Sequence, residues 1–211
     1  MITTDVPPAE TALDAIKTVL TDESLDPAFR ALVLGLPSED DLAQTIFDAG
    51  QTPDPAKIHA ARKSLRHALA LHVSDVLPTL GRQLETPVFV PDADGSGKRA
   101  LRHALLALET LLDDGKAARA LFARADNMSD QSASLQALLA AGLGQDEIKA
   151  FEKQWKNDRL VMDKWFMMQV SFAAPDKAAS TALALTQHPD FTIKNPNRFR
   201  AVFGALAGNH A

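Results

Sequence analysis

Residues 54–84 carry the clearest secondary-structure signal of the chain and read DPAKIHAARKSLRHALALHVSDVLPTLGRQL. Apolar residues recur there at steps of three and four, which is the spacing of one face of an α-helix. The face expected to be buried consists of Ile58, Ala61, Leu65, Leu69, Val73, Val76, Leu77, Leu80 and Leu84. Pro78 lies inside this stretch and is expected to kink or end the helix, because proline has no amide hydrogen to donate.

The rest of the sequence follows the same periodicity. Alanine and leucine dominate, and no segment alternates between polar and apolar residues as a half-buried strand would. Ser38 and the three acidic residues after it predict the capped start of a helix that ends at Gly50. One long loop is predicted over residues 86–97, and further helices over residues 98–112, 117–125, 130–141, 145–155, 160–172, 176–187 and 196–207.

The connections between these helices are short, which predicts antiparallel neighbours. The expected fold is therefore all-α: a superhelical α-solenoid of antiparallel helical hairpins, similar to HEAT or armadillo repeats. A compact bundle is the alternative. The helix over residues 160–172 is apolar nearly all round, so we expect it to lie between two layers.

The last predicted helix has clear boundary residues. Asn195 is expected to cap its start, and Gly208 and Asn209 to cap its end. Its apolar side consists of Phe199, Val202, Phe203 and Leu206. Little chain follows to cover that side, so we expect the sequence to stop inside a larger helical domain.

Composition excludes several classes of protein. The 211 residues include 22 basic and 27 acidic side chains, for a formal net charge of −5, and no cysteine. The lack of cysteine excludes disulfides and thiolate chemistry, and it favours a cytoplasmic protein. No apolar run approaches the roughly 20 residues that span a bilayer. Residues 1–10 do not resemble a signal peptide, so no membrane association is expected. The acidic balance argues against a general nucleic-acid binder.

Catalytic and metal-binding motifs are missing from the sequence. None of the six histidines belongs to an HExxH pair, and no GxSxG, P-loop or GxGxxG motif occurs. His67 and His72 are expected at the surface or its boundary. Residues 92–97 match the start of a calcium loop, but His103 stands where that loop needs a glutamate, so a solvated turn is expected. No cofactor is expected in this chain.

Three segments indicate a family: NMSD at 127–130, LVMDKWF at 160–166 and NPNRFR at 195–200. Together with LDPAFRALVLGLPSE at 25–39 and their spacing, they resemble the C-terminal helical domain of the bacterial aminopeptidase N family, which are zinc-dependent gluzincin metallopeptidases. The resemblance covers nearly all of residues 1–211, which are expected to be part of one such domain. It implies an all-α superhelix that continues through several helices beyond NPNR.

The resemblance also implies what the parent enzyme does. Such an enzyme removes N-terminal amino acids from peptides, with an HExxH zinc site and a GAMEN motif in an earlier catalytic domain. Neither motif occurs in this chain, so the chain alone is expected to be inactive and free of zinc. The C-terminal domain of the family packs on the catalytic domain, encloses the active-site cavity and limits access to peptides.

Candidate site residues come from the NPNRFR motif. The resemblance implies that Arg200 faces the cavity that holds the peptide, and it makes Arg198 and Asn197 further candidates for that lining. The alternative is that these groups cap the last helix and pair with acids of the catalytic domain. Asp163 and Lys164 are expected to form a structural ion pair inside the superhelix.

A second hypothesis for the whole chain stays open at this point. It is an independent helical-repeat scaffold that binds a protein partner in a concave groove. The coding sequence upstream of Met1 distinguishes the two hypotheses, because only an aminopeptidase would carry HExxH and GAMEN there.

Overall fold

The computed structural model describes residues 8–86 and 88–209, and all regular structure in these residues is helical. The predictions made for residues 1–7, Pro87 and His210 lie outside the described residues. The helices are α1 (Glu10–Thr21), α2 (Pro27–Val33), α3 (Glu39–Asp48), α4 (Pro55–His72), α5 (Leu77–Gln83), α6 (Ala93–Glu109), α7 (Lys116–Arg124), α8 (Met128–Ala140), α9 (Gln145–Trp155), α10 (Arg159–Ser171) and α11 (Pro175–Leu185). The last helix combines α12 (Pro196–Phe199), a π-helical turn (Arg200–Gly204) and α13 (Ala205–Ala207).

The chain divides into two compact units, Met1–Ser134 and Leu135–Ala211. The core of the first unit is built from leucines of four helices, among them Leu20, Leu69, Leu80 and Leu101. Helix α2 packs against α6, where the Cβ of an alanine at Gly97 would lie 3.3 Å from the backbone nitrogen of Ala28. A side chain at residue 97 would therefore push these two helices apart.

The structure corrects the helix predicted over residues 54–84, which was expected to kink or end at Pro78. Helix α4 ends at His72 and α5 begins at Leu77, with Pro78 in its first turn. The break is stabilised by polar contacts, since Asp75 pairs with Lys17 at 2.8 Å and Ser74 Oγ donates to the Leu71 carbonyl at 2.8 Å. Of the predicted stripe, Ala61, Leu65 and Val76 are only half-buried, and the other residues are buried.

The predicted long loop is shorter than expected, because α6 already begins at Ala93. Asp92 caps this helix by accepting a hydrogen bond from the Gly95 amide at 2.7 Å, and Asp94 pairs with Lys98 at 2.7 Å. Residues 92–97 are therefore a helix start and not the solvated turn that the sequence predicted. The reason is that an aspartate followed by small residues suits the first turn of a helix as well as a turn.

Two predicted caps are confirmed. Ser38 and Asp41 form a capping box at the start of α3, in which the Asp41 amide donates to Ser38 Oγ at 3.1 Å. Asn195 Oδ1 accepts hydrogen bonds from the amides of Asn197 and Arg198 at 3.1 and 3.4 Å. These side chains satisfy amides that have no partner inside a helix.

Helix α10 is the central helix of the second unit and packs against α9, α11 and the last helix. Its buried side chains are Val161, Met162, Trp165, Phe166, Met168 and Val170. The indole of Trp165 donates to the Ile148 carbonyl at 2.9 Å. Leu160 and Met167 are 70% and 40% exposed, so one narrow side of α10 stays open among the described residues.

Asn209 has a role beyond the predicted end cap of the last helix. Its Nδ2 donates to the carbonyls of Val170 and Ala173, at 3.0 Å each, at the C-terminal end of α10. Its side chain therefore caps α10, while its backbone amide donates to the Leu206 carbonyl at 3.2 Å and, after the C-cap Gly208, ends its own helix as predicted. The predicted apolar side of the last helix is divided, since Val202 is fully buried whereas Phe199 is 40% exposed.

The turn between α8 and α9 yields a stability prediction. Gly142 and Gly144 both have positive φ angles, of 75° and 84°. A Cβ at Gly142 would meet nothing within 4 Å, whereas a Cβ at Gly144 would lie 2.9 Å from the Cβ of Leu138. We expect Gly142→Ala to lower the free energy of unfolding by about 1 kcal/mol through backbone strain. Gly144→Ala should lower it by about 2 kcal/mol, because steric overlap is added.

Urea unfolding followed by tryptophan fluorescence measures both variants. Both tryptophans of the chain, Trp155 and Trp165, belong to the second unit, so their fluorescence reports on the unit that contains the two glycines. Equal losses for the two variants would contradict the steric part of the argument.

Candidate functional site

An open groove of about 510 Å³ lies in the second unit, between α10 and the last helix. Helix α10 contributes one wall and the last helix the other. The lining residues are Asp163, Lys164, Met167, Ser171, Asn197, Arg200, Ala201, Gly204, Ala205 and Gly208. Four of the six residues from the last helix are alanine or glycine, so the groove has a floor of small residues.

Among the described residues, Asp163 is the only carboxylate that lines the groove, and it is already paired. Its Oδ1 accepts a hydrogen bond from Arg198 Nε at 2.6 Å. Arg198 is only 3% exposed, donates through Nη1 to the Asp190 carbonyl at 2.7 Å, and lies 4.4 Å from the centroid of the Phe166 ring. The expected ion pair between Asp163 and Lys164 is therefore wrong, because the buried guanidinium of Arg198 takes the carboxylate instead.

The structure separates the three site residues that the sequence grouped. Arg200 and Asn197 line the groove and are exposed, whereas Arg198 is buried behind Asp163. Arg198 and Arg200 are two residues apart, which corresponds to roughly 200° around a helix, so they face nearly opposite directions. The structure thus buries Arg198 and does not include it among the residues that line this groove.

Lys164 is a groove residue that the sequence did not identify as such. It is exposed and follows Leu160 by four residues on the open side of α10, and Met167 and Ser171 continue that side. The signal available in the sequence was a lysine within a helix whose other residues are mostly apolar. Among the described residues, neither Lys164 nor Arg200 has a carboxylate partner.

A second charged cluster lies in the first unit around Asp130. The Asp130 carboxylate pairs with Arg102, lies 2.6 Å from His103 Nε2 and accepts a hydrogen bond from Asn127 Nδ2 at 3.0 Å. Burial raises the pKa of Asp130, but the hydrogen bonds from His103, Arg102 and Asn127 outweigh it and hold the pKa well below its usual range. These contacts join α6 to α8, so the cluster stabilises the fold.

The histidines that the structure describes are not grouped into a metal site. His59, His72, His103 and His188 each lie beside one carboxylate, and no group of three or more histidine, aspartate or glutamate side chains within residues 8–86 and 88–209 could hold a metal ion. The described part of this chain therefore does not fit the zinc that the resemblance implies for the parent enzyme. No helix in that part is long and apolar enough to cross a membrane.

Comparison with known proteins places the chain in a family. The family described as a domain of unknown function (DUF3458_C) with ARM repeats matches residues 1–211. The chain belongs to this family. Its description agrees with the armadillo-like helical fold predicted from the sequence, and the all-α prediction is confirmed.

Two bacterial proteins are similar to the DUF3458_C chain over nearly its whole length. It is 42% identical over 202 residues to aminopeptidase N of Caulobacter vibrioides, covering 92% of this chain and 23% of the relative. It is 36% identical over 203 residues to aminopeptidase N of Escherichia coli, covering 93% of this chain and 23% of the relative. The predicted resemblance to the C-terminal helical domain of aminopeptidase N is thereby confirmed. The chain spans about a quarter of the length of these relatives.

A solved structure supports the fold of the DUF3458_C chain. The crystal structure of Legionella pneumophila aminopeptidase A in complex with aspartic acid superposes with a TM-score of 0.81 and 21% identity. The match covers 96% of this chain and 25% of that protein. The similarity shows that the helices follow the same fold.

Proposed function

We propose that this chain is a non-catalytic domain of a zinc-dependent aminopeptidase N that removes N-terminal amino acids from peptides. In the complete polypeptide it packs on the catalytic domain, encloses the active-site cavity and limits access to peptides. The observation that carries this proposal is the 42% identity over nearly the whole chain to part of an aminopeptidase N. The zinc and its HExxH ligands belong to another part of that polypeptide.

The groove supports this role. It is wide enough for a few amino-acid residues and combines small side chains on its floor with the cationic groups of Lys164 and Arg200 at its wall. A planar guanidinium can donate two parallel hydrogen bonds to a carboxylate or bind peptide carbonyls. Within this chain, Arg200 and Asn197 would therefore contact the peptide, while Arg198 would hold the last helix in place through Asp163.

Activity measurements test whether hydrolysis requires the part of the enzyme that lies outside this chain. The purified 211-residue chain is expected to hydrolyse neither alanyl nor leucyl anilides and to contain no stoichiometric zinc. The complete polypeptide should hydrolyse these anilides and contain zinc. Hydrolysis by the 211-residue chain, in a preparation free of other peptidases, would falsify the proposal. An upstream reading frame without HExxH and GAMEN would instead favour the helical-repeat scaffold.

Replacing Arg200 tests the contact with peptide. In the complete enzyme, Arg200→Ala is expected to raise KM for peptides of four or more residues by about tenfold, because a charged hydrogen bond to the peptide is lost. KM for a single-residue anilide should change less than twofold, since that substrate does not reach the groove. Steady-state kinetics on both substrate types measure this difference, and an equal change in both would argue against the contact.

A further inference from the structure

We propose that Lys164 and Arg200 together bind the C-terminal carboxylate of a peptide in the groove between α10 and the last helix. The inference rests on the proposed function and extends it, because it names Lys164 as a specificity-determining residue and a free peptide C-terminus as the group recognised.

The charge of the groove carries this inference. The one lining carboxylate within residues 8–86 and 88–209, Asp163, is neutralised by the buried Arg198. Lys164 and Arg200 line the same groove, are exposed, and lack a carboxylate partner among the described residues. The second unit thus presents two uncompensated positive charges on one concave surface, and a carboxylate is the complementary group.

The groove beside Arg200 is lined by a glycine and not by a larger side chain. Gly204 lies within the last helix between Arg200 and Gly208, where glycine lowers helix stability relative to alanine. A Cβ at Gly204 would meet only the Cβ of Arg200, at 3.8 Å, so the packing of the described residues does not require a glycine there. The missing side chain instead leaves room in the groove beside Arg200.

The C-terminus is favoured over an acidic side chain as the source of the carboxylate. An enzyme that accepts varied peptides can rely only on groups that all of them carry. Every unmodified peptide has a terminal carboxylate, whereas an aspartate or glutamate occurs at few positions. The groove contributes no further charged pair to fix the position of a side chain, and its small-residue floor suits a main chain of any sequence.

Binding to the complete polypeptide tests the inference without any need for catalysis. The probe is an alanine tetrapeptide with a fluorophore blocking its N-terminus, prepared as the free acid and as the C-terminal amide. Fluorescence anisotropy should show the acid binding about tenfold more tightly than the amide. In Lys164→Gln and in Arg200→Gln the preference should fall to less than threefold, and Lys164→Arg should largely restore it.

Two matched controls accompany these variants. Lys177→Gln removes an exposed lysine of α11 that does not line the groove, and it should keep the tenfold preference. Gly204→Leu fills the groove floor and should weaken binding of the acid, whereas Gly81→Leu, at another open helical glycine, should not. An unchanged circular dichroism spectrum and thermal unfolding midpoint establish that each variant is folded.

The outcomes separate the inference from the function on which it rests. Equal binding of acid and amide, or an undiminished preference in Lys164→Gln, would overturn the inference even if the polypeptide is an active aminopeptidase. Tight binding of an amidated peptide with an internal glutamate would overturn the assignment to the C-terminus. Lack of anilide hydrolysis by the complete polypeptide would overturn the proposed function alone, since the acid preference is measured without it.

Discussion

Asp163→Ala is expected to lower the free energy of unfolding of the second unit by about 4 kcal/mol. The side chain of Arg198 is 4% exposed and that of Asp163 is 17% exposed, so the substitution leaves a buried guanidinium without its counter-ion. Loss of one partner from a buried ion pair costs about 3–5 kcal/mol, because the remaining charge keeps its desolvation penalty. The contact of Arg198 with the Asp190 carbonyl and the Phe166 ring offsets only part of that penalty.

Urea unfolding followed by the fluorescence of Trp155 and Trp165 measures this loss, since both lie in the second unit. Asp190→Ala is the matched control: its side chain is exposed, and Arg198 bonds only to its backbone carbonyl. The control should change the free energy of unfolding by less than about 0.5 kcal/mol. A loss below about 1 kcal/mol in Asp163→Ala would mean that the ion pair does not stabilise the last helix.

Asp130→Asn is expected to lower the free energy of unfolding of the first unit by about 3 kcal/mol at pH 7. The side chains of Arg102 and Asp130 are 11% and 10% exposed, so the variant leaves a nearly buried guanidinium without its carboxylate. Because the pKa of Asp130 is lower in the folded state than in the unfolded state, its contribution is complete above about pH 5. The contribution is lost as the pH falls through the unfolded value near 4 toward the lower folded value.

The free-energy difference between the wild-type chain and Asp130→Asn should therefore be constant between pH 5 and 7 and shrink on acidification. Hydrogen exchange of the amides of α6 and α8 between pH 7 and pH 3 measures it, after correction for the intrinsic exchange rates. Asp114→Asn replaces an exposed carboxylate in a turn and should show no comparable loss at pH 7. A difference that grows as the pH falls would contradict the lowered pKa.

The sequence predicted the helices well because their signals are local. The capping residues Ser38 and Asn195 mark the helix starts within one or two positions of their own, and apolar periodicity marks the buried faces. The errors occurred where two local signals compete. At Val73 to Val76 the apolar spacing continues through a break that the contacts of Ser74 and Asp75 stabilise.

The different positions of Arg198 and Arg200 show which features of the groove the sequence alone does not determine. Arg198 and Arg200 belong to the same short motif and carry the same charge, and only the family resemblance ranked Arg200 ahead of Arg198. Their different roles depend on Asp163, which lies 35 residues before Arg198 and approaches it only after α10 and the last helix have packed. Lys164 lines the groove from the exposed side of α10, and its expected partner Asp163 pairs with Arg198 instead.

The sequence by itself determined that this chain is all-α, where most of its helices begin and end, and which family it resembles. Those properties depend on side chains within a few residues of each other, or on spacing along the chain. Tertiary structure alone decided which cations of the second unit have a carboxylate partner among the residues that the structure describes. Charge pairing depends on distances between side chains that are remote in sequence, and burial decides which pair matters most, because a buried guanidinium without a partner costs more free energy than an exposed ammonium without one.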